Sequence, residues 1–386
     1  MKTLLGNHIK LFGGGTPSKE VDAYWSGNIP WASVKDLREG NLVFPTDRIS
    51  EDGVKYSATR VVPKGSLIIA TRMAVGKVAF ASVDMAINQD LKVIEVQEEL
   101  DRKFLFYFLK ANNAYFQEVS SGATVKGIKI EHINRLELNL PPLSTQKKIA
   151  AILDAADAHR QKTKQLLTKY DQLAQSIFLE MFGDPVTNPK GWEVGIIADV
   201  VSEVKYGTSS KAEDNGNLEY LRMNNITYNG DMNYSNLKYI SLEDNELDKY
   251  TTQKFDLLFN RTNSKELVGK TGIILDDKIR AIAGYLIRVR LNSKANPFYV
   301  WSHLNSKWSK LTLENMCKNI VGMANINAKE LQKIKILIPP KPVQDSYQQK
   351  IQSILNQKGK VNKSLNWSED LFNHLLQKAF KGNLVK

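Results

Sequence analysis

The longest regular pattern of apolar positions in the chain covers residues 146–182. Apolar residues recur there at steps of three and four, and neither proline nor glycine interrupts the run, which is typical of an amphipathic or coiled-coil helix. Ser144 or Thr145 is the predicted N-cap, because its side-chain oxygen can accept hydrogen bonds from first-turn amides. A helix of this length spans roughly 55 Å and needs a partner along its side. The sequence offers one in a second pattern at 348–380.

The remainder of the chain carries short alternating or β-branched runs between glycine, proline and aspartate, which is the pattern of strands. The predicted strands are 67–70, 77–81, 91–96 and 136–140 in the first half, and 256–259, 271–275, 285–291 and 334–338 in the second. One short helix is predicted in each half, at 103–111 and 297–304. The predicted class is therefore α+β, with an irregular sheet domain before each long helix.

The two halves form an internal repeat. Gly15 and Gly207 each begin a Gly-Thr turn that leads to serine and lysine, an offset of 192 positions (207 − 15). The Pro-Pro pairs after the last strands are 198 apart (339 − 141), and the helices align with Phe178 on Phe380, 202 apart (380 − 178). The predicted boundaries are a first domain at 1–144, a central helix at 145–182, a second domain at 183–342 and a distal helix with a tail at 343–386. The turn-rich segment 183–192 separates the copies.

Charge and composition narrow the class of partner. The 386 residues carry a formal net charge of +12 and the pI is about 9.4, which favours nucleic acid as a partner, with a generic basic surface as the alternative. Cys317 is the single cysteine of the sequence, so an internal disulfide is excluded and a cytoplasmic location is expected. No apolar run approaches the roughly 20 residues that cross a bilayer, so no membrane partner is expected.

Nucleotide, metal and catalytic sites are not indicated. The glycine run at 13–18 lacks the consecutive Lys-Ser/Thr of a phosphate loop, and Pro17 removes an amide hydrogen, so we interpret it as a turn laid close to a partner backbone. Residues 268–271 look like the end of a Walker A motif, but Ser264 stands where its first glycine belongs. A hairpin lysine and a phosphate-binding lysine stay as alternatives for Lys270. No histidine, cysteine or carboxylate set has metal-ligand or catalytic spacing, so neither kind of site is predicted.

A mixture of basic, amide and aromatic residues recurs in both sheet domains. Arginine and lysine can bridge the two major-groove acceptors of guanine, asparagine can bridge adenine, and other basic side chains contact phosphate. For any single residue, a solvated surface charge or a core aromatic is the alternative. The candidate DNA-binding residues are Lys35, Arg38, Arg72, Lys77, Lys126, Lys129, Lys211, Arg222, Asn224, Arg261, Asn263 and Lys270. The accompanying aromatics are Tyr24, Trp25, Trp31, Tyr206 and Tyr220.

The order of these segments resembles the specificity subunit of type I restriction–modification systems. The resemblance is carried by the Gln-x-x-Ile-Ala-x-Ile-Leu start of the first helix at 146–153, the Phe-Gly-Asp-Pro to Gly-Trp junction at 182–192, and the Pro-Pro-helix order in both halves. It covers the whole chain. The second helix departs from it at Gln352, which replaces alanine, and at Gly359, which weakens a helix by about 1 kcal/mol.

The resemblance implies two target-recognition domains that each read half of a split DNA sequence, separated by two long antiparallel helices in a pseudo-twofold repeat. The implied partners are double-stranded DNA, two methyltransferase subunits that methylate adenine, and up to two motor-nuclease subunits. It also implies a non-catalytic chain that binds no cofactor itself, with S-adenosylmethionine, ATP and Mg²⁺ on the partner subunits. The helix residues expected to support subunit docking are Ile149, Ile152, Leu153, Leu166, Tyr170, Leu173, Ile177, Ile351, Ile354, Leu355, Leu365 and Leu375.

Two other function classes stay open at this point. A non-catalytic protein-binding scaffold with a coiled-coil spacer would bind DNA weakly and without sequence preference. An enzyme with unrecognised motifs would show turnover when the purified chain is given cofactor or magnesium.

Overall fold

The computed structural model describes residues 2–37, 42–122, 125–317, 322–381 and 384. The chain divides into two compact units. Unit 1 comprises Met1–Gln165 with Lys363–Lys386, and unit 2 comprises Leu166–Asn362. Each long helix contributes one part to each unit, whereas the predicted domain boundaries keep the helices apart from the sheet domains. Within the described ranges, no helix is long and apolar enough to cross a membrane.

The described strands of unit 1 are β1 (Lys2–Leu4), β2 (Ile9–Gly13), β3 (Ile29–Ala32), β4 (Leu42–Val43), β5 (Asp47–Ile49), β6 (Arg60–Val62), β7 (Leu67–Ala70), β8 (Val78–Ala81), β9 (Met85–Ile87), β10 (Leu91–Val96) and β11 (Glu137–Asn139). Its helices are α1 (Glu51–Lys55), α2 (Arg102–Ala111), α3 (Asn113–Val119), α4 (Ile130–Asn134) and the first part of α5 (Leu143–Phe182). Short 3₁₀ helices lie at Leu5–Asn7, Asp22–Trp25 and Val34–Asp36.

The described strands of unit 2 are β12 (Glu193–Ile196), β13 (Val201–Tyr206), β14 (Leu218–Leu221), β15 (Lys238–Ile240), β16 (Leu257–Asn260), β17 (Thr262–Asn263), β18 (Thr271–Ile273), β19 (Ala281–Ile282), β20 (Leu286–Leu291), β21 (Ala324–Asn325) and β22 (Lys335–Ile338). Its helices are α6 (Ile197–Val200), α7 (Asp244–Tyr250), α8 (Pro297–Asn305), α9 (Lys307–Met316), α10 (Ala328–Gln332) and the first part of α11 (Lys341–Phe380), with a 3₁₀ helix at Met223–Asn225.

The two units repeat one sheet topology. Among the described residues, unit 1 has sheets in the orders β2-β10-β7-β8-β4 and β5-β3-β9-β6, and unit 2 has β13-β20-β16-β18 and β15-β14-β19. Strand β3 runs parallel to β9, as β14 does to β19, and the pairs β1-β11 and β12-β22 are antiparallel. The predicted α+β class and the predicted helices α2 and α8 are confirmed. The short helices α3, α4, α9 and α10 were not predicted, since few turns give little periodicity.

Each long helix is part of a hydrophobic core. In unit 1, Leu153 of α5 and Phe372 of α11 are buried with Phe104 and Tyr107 of α2. Tyr107 Oη also donates to Asp154 Oδ1 at 2.7 Å, so a buried hydroxyl on this face has a partner. Burying large aromatic side chains in this way stabilises the attachment of both helices to the sheet domain.

Unit 2 has the matching aromatic core. Phe178 and Phe182 of α5 pack against Tyr299 of α8 and Tyr347 of α11, with ring centroids 4.5 to 5.9 Å apart. The helices run antiparallel within this unit, because Phe178 meets Tyr347 near one end while Asp171 meets Lys358 further along.

The first turn of α5 corrects the predicted helix start. The helix begins at Leu143, and the amides of Thr145 and Gln146 both donate to Pro142 O, at 2.9 and 3.1 Å. Ser144 and Thr145 therefore lie inside the helix instead of capping it. Likewise α11 begins at Lys341, seven residues before the predicted 348, and continues through Gly359 without a break.

A fully buried glutamine attaches the start of each long helix to its unit. Gln146 accepts from Asp101 N at 2.8 Å and donates to Glu99 O and Pro141 O, at 2.8 and 2.9 Å. Gln344 makes the same three bonds, accepting from Asn296 N at 2.8 Å and donating to Lys294 O and Pro339 O, at 3.1 and 2.7 Å. One amide thus satisfies three backbone groups that burial would otherwise leave unpaired.

These bonds correct the register of the repeat within the helices. Gln146 and Gln344 are equivalent, an offset of 198 (344 − 146), and both helices are 40 residues long. With this offset, the ring contact between Phe182 and Tyr299 in unit 2 is equivalent to the ring contact between Phe380 and Phe104 in unit 1. The predicted offset of 202, which aligned Phe178 with Phe380, is wrong by four residues. A four-residue shift is close to one helical turn, so it preserves the apolar face and sequence periodicity cannot reject it.

His159 interrupts the apolar stripe of α5 with a polar side chain. Its Nδ1 is 3.0 Å from Ser368 Oγ, and Thr163 Oγ1 donates to His159 O at 2.9 Å. Arg160 lies with its guanidinium over the Phe372 ring, 4.5 Å from the centroid. Ser368 is thus the residue of α11 that makes this polar contact.

Candidate nucleic-acid interface

The 3₁₀ helix Val34–Asp36 presents Lys35 on the surface of unit 1. The buried Asp36 carboxylate accepts from Ser33 N at 2.8 Å and, with its other oxygen, from Thr46 N and Oγ1 at 3.2 and 3.0 Å. These bonds fix the turn from both sides, because a buried carboxylate must have its acceptors satisfied. Lys35, one residue earlier, is exposed, so the turn fixes the place on the surface from which its side chain extends.

The glycine run approaches strand β9 of its own unit. Gly15 N donates to Ile87 O at 3.0 Å, and a Cβ added to Gly14 would lie 1.8 Å from the same oxygen, which no side chain permits. Trp31 Nε1 donates to Gly15 O at 3.1 Å and Trp25 Nε1 to Ser18 O at 3.0 Å. The glycines therefore allow close packing within the chain, where a partner backbone had been predicted.

These elements enclose an open polar groove of about 1120 Å³. Two tryptophans that meet edge-on, with centroids 5.1 Å apart, form part of its wall. The lining residues are Thr16, Lys19, Asp22, Trp25, Ser26, Gly27, Trp31, Ser33, Lys35, Thr46, Asp47, Arg48, Asn88 and Gln89. Lysine, arginine, carboxylate, amide and hydroxyl groups are together here, which are the groups that hydrogen-bond to base edges in a DNA groove.

The best-defined charged pair in the groove is Lys35 with Asp47. The Nζ to Oδ2 distance is 2.6 Å, and both side chains are substantially solvent-exposed, at 55% and 37%. The hydrogen bond that Lys35 donates to Asp47 raises the pKa of Lys35, and desolvation opposes this effect. The lysine is therefore fully charged at neutral pH, and the pair presents one cation and one anion side by side.

Unit 2 builds the same framework with different side chains. Asn225 caps the 3₁₀ helix as Asp36 does, accepting from Arg222 N at 2.8 Å, and Tyr220 Oη donates to Thr208 O at 3.0 Å as Trp31 does to Gly15 O. Asn224 is consequently the counterpart of Lys35, and it is exposed.

The same bonds correct the register of the glycine turns. Thr208 N donates to Ile282 O at 2.9 Å as Gly15 N does to Ile87 O, so Gly207 corresponds to Gly14 and the predicted pairing of Gly15 with Gly207 is wrong by one residue. A Cβ at Gly207 would lie 2.3 Å from Ile282 O, and this close approach identifies the equivalent glycine.

The lysines of the two Gly-Lys sequences are bound by the chain itself. Lys77 Nζ donates to Leu37 O at 2.6 Å, and Lys270 Nζ donates to Met223 O and Ile226 O, at 3.1 and 2.7 Å. Lys270 is buried, and desolvation lowers its pKa. Both ammonium groups hold the 3₁₀ segment that carries the exposed residue, so the hairpin alternative fits Lys270 better than phosphate binding.

Other candidates in unit 1 lie outside the lining of the groove. Arg72 forms an ion pair with Asp90 at 3.6 Å. The backbone of Arg72 also forms a β-bridge with Gly127, the residue that follows the exposed Lys126. Lys129, also exposed, precedes α4. Arg38 lies outside the described residues.

In unit 2 the candidates occupy separate positions. Arg261 lies with its guanidinium 4.7 Å from the centre of the Tyr206 ring, and Asn263 Oδ1 accepts from Ser264 N at 2.9 Å. Lys211 is exposed beside the glycine turn, and Arg222 Nη2 donates to Asn236 O at 3.3 Å. Among these candidates, Arg222 and Lys211 are nearest in sequence to the residues of unit 2 that are equivalent to the groove lining of unit 1.

Comparison with known protein families decides the class of this duplicated framework. The model of the type I restriction modification DNA specificity domain matches residues 5–169 and 189–366, one match for each copy of the repeat. The chain belongs to the type I restriction–modification DNA specificity family.

Relatives along nearly the full chain carry the same description. The MjaIX specificity subunit of Methanocaldococcus jannaschii is 22% identical over 97% of this chain and 91% of its own length. The EcoKI specificity subunit of Escherichia coli is 24% identical over 92% of this chain and 82% of its own length. The resemblance drawn from the helix starts and the junction is confirmed by these matches.

Solved structures share the fold of these specificity subunits. The S subunit of a type I restriction–modification system from M. genitalium superposes with a TM-score of 0.61 at 15% identity, covering 98% of this chain and 96% of that one. A chain solved to explain complex assembly and conformational transition of the type I system gives a TM-score of 0.52 at 17% identity, covering 100% and 98%. At these identities the likeness establishes the fold.

The helix residues predicted to dock partner subunits divide into three groups in this specificity subunit. Ile149, Leu153, Ile351 and Ile354 are buried in the cores of their units. The partly buried members are Tyr170, Ile177, Leu355, Leu365 and Leu375. Ile152, Leu166 and Leu173 are exposed.

Sequence reasoning missed several groove residues of the specificity subunit. Asp47, Thr16, Asn88 and Gln89 all line the groove, and Thr16 Oγ1 donates to Gln89 Oε1 at 2.5 Å. A usable signal existed for two of them, because Asn88 and Gln89 directly follow the Ala-Ile pair that recurs in both halves. Asp47 carried no such signal, since an acidic residue is not an obvious candidate in a basic DNA-binding protein.

Proposed function

We propose that each unit of this specificity subunit reads one half of a bipartite DNA target. The observation that carries the proposal is the duplicated framework with unlike surface residues. Lys35 and Asp47 in unit 1 are replaced by Asn224 and Lys238 at the equivalent positions in unit 2. One scaffold with two sets of hydrogen-bonding groups suits two different half-sites, because sequence is read by side chains at base edges.

The basic character of the chain supports DNA as the ligand. A net charge of +12 attracts the phosphate backbone and gives a sequence-independent contribution to affinity. Base contacts then add discrimination of about 1–3 kcal/mol for each good bidentate pair. Because the two units are joined, binding of one half-site raises the effective concentration of the other unit at its own half-site.

The long helices have the properties of a spacer. Each is 40 residues long, spanning roughly 60 Å at about 1.5 Å per residue, and each contributes to both units. We infer that they set the spacing between half-sites and dock two methyltransferase subunits for adenine methylation, with up to two motor-nuclease subunits joining for cleavage. In this proposal the chain itself catalyses nothing, and S-adenosylmethionine, ATP and Mg²⁺ act on the partner subunits.

A domain exchange tests the division of labour. Residues 1–140 are replaced by the corresponding segment of another family member, the chimera is assembled with its methyltransferase subunits, and methylated adenines are mapped by sequencing. We expect one half-site to change while the other half-site and the spacer stay as they were. A change in both half-sites would show that the units do not read independently.

A helix insertion tests the spacer. About one turn inserted after Thr163, with a matching insertion in α11 to preserve pairing, should lengthen the preferred spacer and leave both half-sites unchanged. Altered half-sites with an unchanged spacer would contradict this role of the helices.

A non-catalytic protein-binding scaffold is the alternative function. It predicts weak DNA binding that is indifferent to sequence and does not sharpen when methyltransferase subunits are added. A competition experiment between a selected duplex and a scrambled duplex, with and without those subunits, separates the two. Turnover by the purified chain with S-adenosylmethionine or Mg²⁺ would instead indicate an enzyme.

A further inference from the structure

We infer that Lys35 and Asp47 together read one G·C base pair in the half-site recognised by unit 1. This inference rests on the proposed function, and it names the specificity-determining pair within the groove.

The first argument is the placement of the two side chains. Lys35 lies on a 3₁₀ turn fixed by the buried Asp36, and Asp47 is the first residue of β5, opposite Trp31 in the register of β3 and β5. Both belong to the groove lining, Lys35 is exposed and Asp47 partly exposed, and their charged atoms lie 2.6 Å apart. Two separately anchored elements therefore hold a cation and an anion at adjacent points.

The second argument is the chemistry of the base pair. In the major groove guanine presents two acceptors, N7 and O6, and the neighbouring cytosine presents the N4 donor. A lysine ammonium can bridge the two acceptors while a carboxylate accepts from N4. An A·T pair presents one donor, adenine N6, between two acceptors, so a carboxylate that accepts from N6 beside a lysine on one acceptor lies next to the second acceptor with no cation against it. The order of charges in Lys35–Asp47 thus favours G·C.

The third argument is the comparison with unit 2. The equivalent positions there carry Asn224 and Lys238, and Lys238 Nζ is 3.5 Å from Asp214, outside the matching strand. No carboxylate occupies the position of Asp47 in the described part of that framework, so this position cannot accept from cytosine in the same way. The two units are then expected to differ in the base pair read at this place.

An ion pair that merely holds Lys35 against phosphate is the competing account. In that case Asp47 would only reduce the positive charge, and removing it would raise affinity equally for every sequence. Exposed ion pairs contribute little to the free energy of unfolding. Substitutions at Lys35 and Asp47 should therefore leave the fold intact, so base reading and phosphate binding can be compared in the assembled complex.

The experiment uses the full chain assembled with its methyltransferase subunits and a library of randomised double-stranded DNA, whose bound fraction is sequenced. Asp47→Asn should relax or change the preference at one G·C position by roughly 10-fold and leave all others unchanged, since one good base contact is worth about this factor. Lys35→Gln should affect the same position. Asp52→Asn and Lys64→Gln, exposed charges outside the groove lining, are the matched controls and should leave every position unchanged.

The outcomes separate the inference from the function on which it rests. A uniform gain in affinity for Asp47→Asn, or a salt-dependence slope reduced by about one without a positional change for Lys35→Gln, would identify a phosphate contact and overturn the inference. Changes at two different positions would also overturn it. If the unmodified complex selects no bipartite sequence at all, the proposed function itself fails.

Discussion

Replacing Gln344 by alanine removes the three hydrogen bonds that attach the start of α11 to unit 2. The side chain is fully buried, and the substitution leaves Asn296 N without its acceptor and Lys294 O and Pro339 O without their donor. A typical internal hydrogen bond contributes about 1 kcal/mol net, and an unsatisfied buried group costs about 1–3 kcal/mol. We therefore expect unit 2 to lose roughly 3 kcal/mol of unfolding free energy.

The measurement must resolve the two units, because a two-unit chain need not unfold in one step. Pulsed hydrogen exchange with mass spectrometry at increasing urea reports α8 for unit 2 and α2 for unit 1. With a urea dependence of about 1–3 kcal/mol per molar, the midpoint for α8 should fall by roughly 1–3 M while that for α2 stays in place. Gln349→Ala is the control, since Gln349 is exposed on the same helix.

The reasoning would be refuted by a midpoint for α8 that falls no further in Gln344→Ala than in Gln349→Ala. An equal fall for α2 and α8 would refute it in a different way, because it would show that the bonds stabilise the chain as a whole and not unit 2. The equivalent substitution Gln146→Ala should give the mirror result, with α2 affected and α8 unchanged.

Three further substitutions test other features of unit 2. Burial lowers the pKa of His303 to about 4. Between pH 6.5 and 4 this histidine is therefore protonated in the unfolded chain but neutral in the folded one. About 3 kcal/mol of unfolding free energy that is present above pH 6.5 is lost as the pH falls to 4. His303→Phe, which copies Phe108 of unit 1, should flatten this loss relative to the unmodified chain in urea titrations at pH 7 and 4. Lys358→Met leaves the partly exposed carboxylates that pair with Lys358 without their cation and should cost about 3 kcal/mol by thermal denaturation, the lower end for breaking a buried ion pair, whereas the exposed Lys360→Met should cost little. Lys270→Met should destabilise unit 2 by about 1–3 kcal/mol without changing the salt dependence of DNA binding; a slope reduced by one would instead identify a phosphate contact.

The local pattern of apolar and polar residues is enough to predict the long helices, several strands and the family of this protein. A stripe at steps of three and four predicts both long helices, and the strand runs at 67–70 and 91–96 match β7 and β10. The duplication and the signatures at 146–153 and 182–192 predict the family, which the comparisons confirm. Each of these features is a pattern of neighbouring residues, or a second copy of such a pattern, so it can be recognised without knowing which segments meet in space.

Tertiary contacts decided the details on which function depends. Lys35 and Lys270 are equally basic in the sequence, but one ammonium group is exposed in a groove and the other is satisfied by two carbonyl oxygens of a turn 44 or more residues away. Asp47 becomes a candidate only because β5 places it beside Lys35. The helix register was uncertain by one turn until the bonds of Gln146 and Gln344 set it. Periodicity specifies which face of an element is buried, whereas partners distant in sequence determine which polar groups stay free to contact DNA.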